Sequence, residues 1–301
     1  MEQVDAMHRA VGWLREADGL IFAAGAGMGV DSGLPDFRGS DAIWAKWLPA
    51  GVSKADVRLL TYASSFRQKP QAAWRFYSRA AQIFRQTAPH AGFSILRRWG
   101  ERAAKGAFVF TSNVDGHFQL AGFPEDRVVE CHGTINFMQC RDRCSEVIWG
   151  ADSLPFSAIE ADDFSCDVLP QCPHCGGLAR PNLRLSDDAQ WVTARMLAQY
   201  TRLQAWRTGI QSLVVVELGA GLAVSAVRQF AEGLGAPLIR INLERSGIGA
   251  GEGVELCGSA LSVLKELEQA WNAGAGAESL TNRYPERHGA GHDTRYAVSQ
   301  L

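Results

Sequence analysis

GLIFAAGAGMG (19–29) is an apolar run that ends in a glycine loop. Leu20 to Ala24 carries no charge and stops at Gly25, the make-up of a buried strand that turns toward a helix. Four further segments share the design: AFVFTSN (107–113), RVVECHG (127–133), SLVVVELGAG (212–221) and PLIRINLE (237–244). Each is apolar first and polar or glycine-bearing at its carboxyl end. Between them, PQAAWRFYSRAAQIFRQ (70–86) and LAVSAVRQFAEGLG (222–235) place apolar residues at helical spacing. Five such strands alternating with helices predict an α/β fold, an open, doubly wound parallel sheet of Rossmann-like design. Ligands of such sheets bind outside the carboxyl ends of the strands, so the chemistry is expected there.

Two regions interrupt the alternation. Residues 40–90 are rich in Trp and Arg and read as helical, and residues 134–182 hold five of the seven cysteines. Both are expected to form a smaller inserted module on one domain spanning 1–273. The remaining stretch, 274–301, has little apolar periodicity and reads as a mobile tail. Thirty Lys and Arg against 32 Asp and Glu leave a formal charge of -2, which argues against nucleic acid as the main partner. No apolar run reaches membrane-span length and the first twenty residues lack a signal-type stretch, so a cytoplasmic protein is expected.

In that compartment thiols stay reduced, and clustered cysteines point to a metal before disulfides. CRDRC places Cys140 and Cys144 together, and CPHC does the same for Cys172 and Cys175. Two close pairs suit a closed, four-thiolate structural zinc site. His174 and Cys166 stand near enough in sequence to substitute as ligands, while Cys131 and Cys257 read as small buried hydrophobes.

Gly25, Ala26 and Gly27 allow a backbone to approach a pyrophosphate at a helix N-terminus. A dehydrogenase fingerprint is excluded, because Val30 stands where a third Gly or Ala belongs and the Trp44–Trp47 region offers no acid. No Walker-type lysine follows either. The longer block GAGMGVDSGLPDFRG (25–39) instead resembles the cofactor signature of the sirtuins. TSNVDGHFQLAG (111–122) is similar to that family's Thr-Gln-Asn-Ile-Asp-Gly block, ECHGT (130–134) to its catalytic histidine block, and INLE (241–244) to its ribose-binding segment.

The resemblance implies a NAD-dependent protein lysine deacylase that moves the acyl group of an acylated protein onto ADP-ribose and releases nicotinamide. It makes His132 the general base, Asn113 the residue that positions ribose and water, and Asp115 the partner of the nicotinamide carboxamide. Cofactor contacts are implied for Gly25, Ala26, Gly27, Asp36, Phe37, Arg38, Ser112, Asn113, Asp115, Gly219, Asn242 and Ala260, with Phe37 shielding the reactive ribose. His117 is expected to be structural. The same nicotinamide departure would serve an ADP-ribosyltransferase or a NAD hydrolase.

Four positions depart from the family pattern. Gly29 replaces a small hydroxyl residue, Ser112 a glutamine, and Gly219-Ala220-Gly221 a Gly-Thr-Ser. After Arg180-Pro181-Asn182, LRLSDDAQW (183–191) replaces apolar residues followed by Phe-Gly-Glu. Arg184, Ser186, Asp187 and Asp188 are expected to make that edge polar.

Overall fold

The described residues of the computed structural model are 2–35, 54–152, 169–222, 225–249 and 251–281. They contain β1 (Gly19–Ala24), β2 (Ala107–Thr111), β3 (Val128–Glu130), β4 (Gly133–Cys140), β5 (Ile148–Gly150), β6 (Ala179–Leu183), β7 (Leu213–Leu218), β8 (Leu238–Asn242) and β9 (Gly253–Cys257). Six of these form one sheet in the order β3-β2-β1-β7-β8-β9, parallel throughout. The five strands expected from sequence are all present, and β9 is a sixth.

The apolar runs are continuous because both faces of the sheet are covered. Leu20, Phe22 and Ala24 enter one core cluster, whereas Ile21 and Ala23 enter another on the opposite face. This two-residue alternation is what a pleated strand imposes. Helices Glu2–Glu16, Ala91–Arg102 and Ala260–Thr281 cover the first face; Ala194–Arg207 and Ala226–Gly233 cover the second. The helix from Ala260 continues to Thr281, so residues 274–281 are helical where a mobile tail was expected. Residues 282–301 lie outside the described residues.

Chain order reverses between β1 and β7, which makes their carboxyl ends the switch point of the sheet. One polar pair lies within the buried layer: Glu217 of β7 and Arg240 of β8 are 0% and 1% exposed and bonded in two-pronged fashion at 2.7 and 2.9 Å.

The smaller module is a three-stranded antiparallel sheet, β5-β4-β6, backed by helix Pro70–Gln86. Ala73, Trp74, Tyr77, Ala81 and Phe84 line the inner face of that helix and share a core with Ile135, Met138, Ala179 and Leu183. Trp74 Nε1 donates to Ala179 O at 3.0 Å. The helical insertion and the cysteine-bearing insertion are therefore one packed unit.

Candidate active site

Everything expected to touch a cofactor, where it is described, lies at the carboxyl edge of the large sheet. β1 ends at Gly25, whose amide donates to Leu218 O at 2.9 Å, and Gly27 N donates to Gly219 O at 3.0 Å. The loops after β1 and β7 thus press together at the switch point. A Cβ on Gly27 would stand 2.7 Å from Gly219 Cα, and one on Gly219, at φ +55°, would stand 2.5 Å from Gly27 Cα. Both distances are far inside van der Waals contact. Glycine is required here by the approach of two protein backbones, where sequence alone pointed only to the approach of a pyrophosphate. The facing partner of Gly27 is nearly two hundred residues away, which no local pattern reveals.

β2 is stitched to β1 beyond the last paired residues. Thr111 Oγ1 donates to Ala24 O at 2.9 Å and accepts from Asn113 N at 3.0 Å, while Ser112 N donates to Ala24 O at 3.1 Å. Asn113 Nδ2 then donates to Gly25 O at 2.9 Å, which holds this side chain against the glycine loop. Thr111, unremarked in the sequence, is the residue that orders this corner.

Asp115 Oδ1 accepts from His117 N at 2.8 Å, an Asx-type turn that opens helix His117–Leu120. Burial pushes the Asp115 carboxyl above the usual carboxylate range, opposed by the nearby His117 and its amide. A Cβ on Gly29 would lie 3.7 Å from Asp115 Oδ2, so the hydroxyl residue that the family carries there would face this oxygen. His117 itself is 1% exposed, with Nε2 3.2 Å from Phe84 O, consistent with the structural role expected of it.

His132 lies in the two-residue link between β3 of the large sheet and β4 of the small one. Its carbonyl accepts from Arg184 N at 2.9 Å, and the following Gly133, at φ +75°, passes so close to β6 that a Cβ would stand 2.0 Å from Asn182 O. The His-Gly pair is thus the crossing point of two strands. Burial, then the positive charge of Arg184, hold the His132 pKa below the ordinary imidazole value, against a hydrogen bond to the Ser112 backbone that raises it. A half-buried imidazole kept neutral at physiological pH is the form a general base needs.

β3 is anchored from behind. Glu130 is 1% exposed and pairs with Arg195 at 2.5 Å, tying helix Ala194–Arg207 to the strand that leads into His132. On the far side of the switch point, Asn242 Nδ2 donates to Ala220 O at 3.0 Å. Ala260 opens its helix at the end of β9, and Asp31 Oδ2 accepts from Leu261 N at 2.7 Å. Asp36, Phe37 and Arg38 lie outside the described residues, so of the expected cofactor positions the structure brings together Gly25, Ala26, Gly27, Ser112, Asn113, Asp115, Gly219, Asn242 and Ala260 at this edge.

The segment after β6 differs from its expected character. Asp188 does not make the edge polar: its side chain is 1% exposed and grips Arg180, also 1% exposed, at 2.7 and 2.8 Å. Asp187, at φ +55°, accepts from Ala63 N at 2.8 Å, and Ser186 pairs with the backbone of Thr61 and Ala63. Arg184, Ser186 and Asp187 remain exposed.

The four module cysteines converge. Cys140 and Cys175 sulfurs are 3.7 Å apart, Cys144 and Cys172 sulfurs 3.6 Å, and all four lie within 4.8 Å of one another. Thiolates about 2.3 Å from a tetrahedral zinc have sulfur–sulfur edges near 3.8 Å, so the set fits that ion. His174 is not part of the cluster, and Cys166 lies outside the described residues. Cys131 and Cys257 are half-buried, each at the end of a sheet strand, and so are less enclosed than expected. Burial pushes the Cys131 thiol up to about 12.

The arrangement defines a class: a dinucleotide-type α/β sheet with a neutral imidazole at its carboxyl edge and a small thiolate-bearing module beside it. The sequence profile described as the Sir2 family matches residues 25–203. The chain belongs to the Sir2 family. It is 30% identical over 236 residues to the NAD-dependent protein deacetylase 1 of Geobacillus kaustophilus, covering 77% of this chain and 84% of the relative. It is also 30% identical over 255 residues to the NAD-dependent protein deacylase 2 of Pyrobaculum aerophilum, covering 82% and 88%. Among solved structures, one described under the mechanism and regulation of Sir2 enzymes superposes with TM-score 0.65 at 25% identity, over 91% of this chain and 99% of that one. A Sir2 homolog–NAD complex superposes with TM-score 0.67 at 20% identity, over 89% and 94%.

Proposed function

We propose that the protein is a NAD-dependent protein lysine deacylase with a structural zinc held by Cys140, Cys144, Cys172 and Cys175. The observation that carries it is the neutral, half-buried His132 on the same sheet edge as Asn113, Asp115 and the Gly25–Gly27 loop. The deacetylase and deacylase names of the relatives support it.

Each residue suits its part. The glycine loop gives the pyrophosphate of NAD close access to the chain, and the Asn242 end of β8 receives the ribose. Asp115 accepts from the nicotinamide carboxamide, and Asn113, braced on Gly25 O, positions the reactive ribose and water. The acyl oxygen displaces nicotinamide from the ribose carbon. His132 takes the proton of a ribose hydroxyl, whose oxygen attacks the acyl carbon; water completes the balance, leaving free lysine, nicotinamide and acyl-ADP-ribose. Phe37 shields the ribose face, with Asp36 and Arg38 ordering its loop. Four thiols gathered at a metal site suit a reducing compartment, which supports a cytoplasmic location. Among the described residues no helix is long and apolar enough to cross a membrane.

The test is to incubate protein, NAD and acylated peptides and identify products by mass spectrometry, with His132→Ala alongside. Acyl-ADP-ribose is expected, and His132→Ala is expected to lose about 10²- to 10⁴-fold in rate while still binding NAD. Free ADP-ribose without peptide, or ADP-ribose joined to protein, would overturn deacylation in favour of hydrolysis or transfer.

A further inference from the structure

His132 stands where two sheets meet. In the deacylase reading the large sheet is the cofactor side of the cleft and the small sheet its acceptor side. β3, which leads into His132, is an edge strand of the large sheet, three residues long and paired with β2 alone. β4, which leads away, belongs to the small sheet. Arg195, at the start of helix Ala194–Arg207, reaches both strands at once. One guanidinium nitrogen donates to Glu130 Oε2 at 2.5 Å, and the other to Glu125 Oε1, in the turn before β3, at 3.2 Å. The same guanidinium lies over the ring of Phe137 on β4, 4.5 Å from its centroid. Gln199, one helical turn on, adds to the grip: its Oε1 accepts from Glu130 N at 3.1 Å and its Nε2 donates to Glu130 Oε2 at 3.4 Å. The side chains of Arg195 and Glu130 are 14% and 2% exposed, so water screens the pair little. A planar guanidinium can bond a carboxylate along its edge and rest its face on an aromatic ring, a combination that suits this place.

We propose that Arg195 is a positioning residue for His132, holding β3 and β4 at the angle that brings the imidazole to the ribose hydroxyl. The inference rests on the deacylase reading. Arg195 acts through Glu130, two residues before the base, and Phe137, five residues after it. Main-chain bonds flank the base as well, Cys131 N to Thr111 O at 2.9 Å and Ile135 N to Val114 O at 3.0 Å. Those bonds fix each strand against the end of β2 and the loop that follows it. The guanidinium adds a constraint between the two strands themselves.

The order of steps provides the test. Nicotinamide leaves before His132 acts, so a displaced base slows acyl transfer and spares nicotinamide departure. With NAD and an acetyl-lysine peptide as probe, acyl-ADP-ribose formation and the exchange of labelled nicotinamide into NAD are both measured. The proteins compared are the wild type, Arg195→Met, Arg195→Lys, Phe137→Leu and the double variant of Arg195→Met with Phe137→Leu. In Arg195→Met, kcat for acyl transfer should fall about tenfold to a hundredfold, the effect of a small misplacement of a reacting group, with the KM for NAD and the exchange rate within about twofold of wild type. Arg195→Lys should recover part of that loss. Phe137→Leu, which leaves the Arg195–Glu130 pair whole, should lose about fivefold. The double variant should lose no more than Arg195→Met, since the two residues act as one unit. If Arg195→Met does not fold, Phe137→Leu decides alone. Exchange that falls in step with acyl transfer, an unmoved kcat in a folded variant, or losses that multiply in the double variant overturn the proposal and leave the deacylase reading standing. No acyl-ADP-ribose from the wild-type protein overturns that reading and this proposal together.

Discussion

The two walls of the cleft are built from different material. On the cofactor side, main chain meets main chain at Gly27 and Gly219, and two neutral asparagine side chains, Asn113 on Gly25 O and Asn242 on Ala220 O, fasten the loops. On the acceptor side, charged side chains do the holding: Asp188 on Arg180 and Asp187 on Ala63 N. The loss of the Thr and Ser hydroxyls at 220 and 221 leaves the first wall's geometry in place, since none of these contacts uses a side chain at either position. The second wall can be rewritten residue by residue, and the departures from the family pattern at 183–191 fall there.

The contrast can be broken in several ways. Metal removal is the harshest, because binding at structural zinc sites contributes roughly 10–16 kcal/mol in small zinc peptides. Chelation should disorder the acceptor module and abolish peptide-dependent turnover, while calorimetry still detects NAD binding; full activity in zinc-free protein would refute a structural metal. Asp188→Ala attacks the same wall more locally. It strands a buried guanidinium and should cost about 3–5 kcal/mol in urea unfolding. Gly219→Ala probes the opposite wall. Forcing the two loops apart should cost about 1–3 kcal/mol and weaken NAD binding, whereas Gly233→Ala, with open space around it, should leave both within about 1 kcal/mol.

The smallest effect concerns protons. A general base acts in its neutral form, so a His132 pKa held low puts the acidic limb of kcat/KM below the ordinary imidazole value of 6.5. Removing the neighbouring cation favours the protonated ring, so Arg184→Val should move that limb to higher pH. A limb that stays put would separate the charge of Arg184 from the base.

The strands that the sequence displays most openly are those buried on both faces, since enclosure demands an unbroken apolar run. β9, GVELC, is an edge strand in which only Val254 and Leu256 are buried, and its alternating signal is too short to stand out. The place of His132 at the carboxyl end of an apolar run is legible in the sequence, and its role is implied there by the resemblance of ECHGT; the reason for the following glycine, Asn182 O on another strand, is not legible. Asp188 looked like surface because its partner Arg180 precedes it across a turn that only the folded chain closes. The helix through Gly274 and Gly276 was missed for want of apolar periodicity.

Only Cys131 and His132 separate the large sheet from the small one. A group at such a seam answers to both bodies: β3 sets where the imidazole begins, and β4, through Gly133 against Asn182 O, sets the direction in which the chain leaves it.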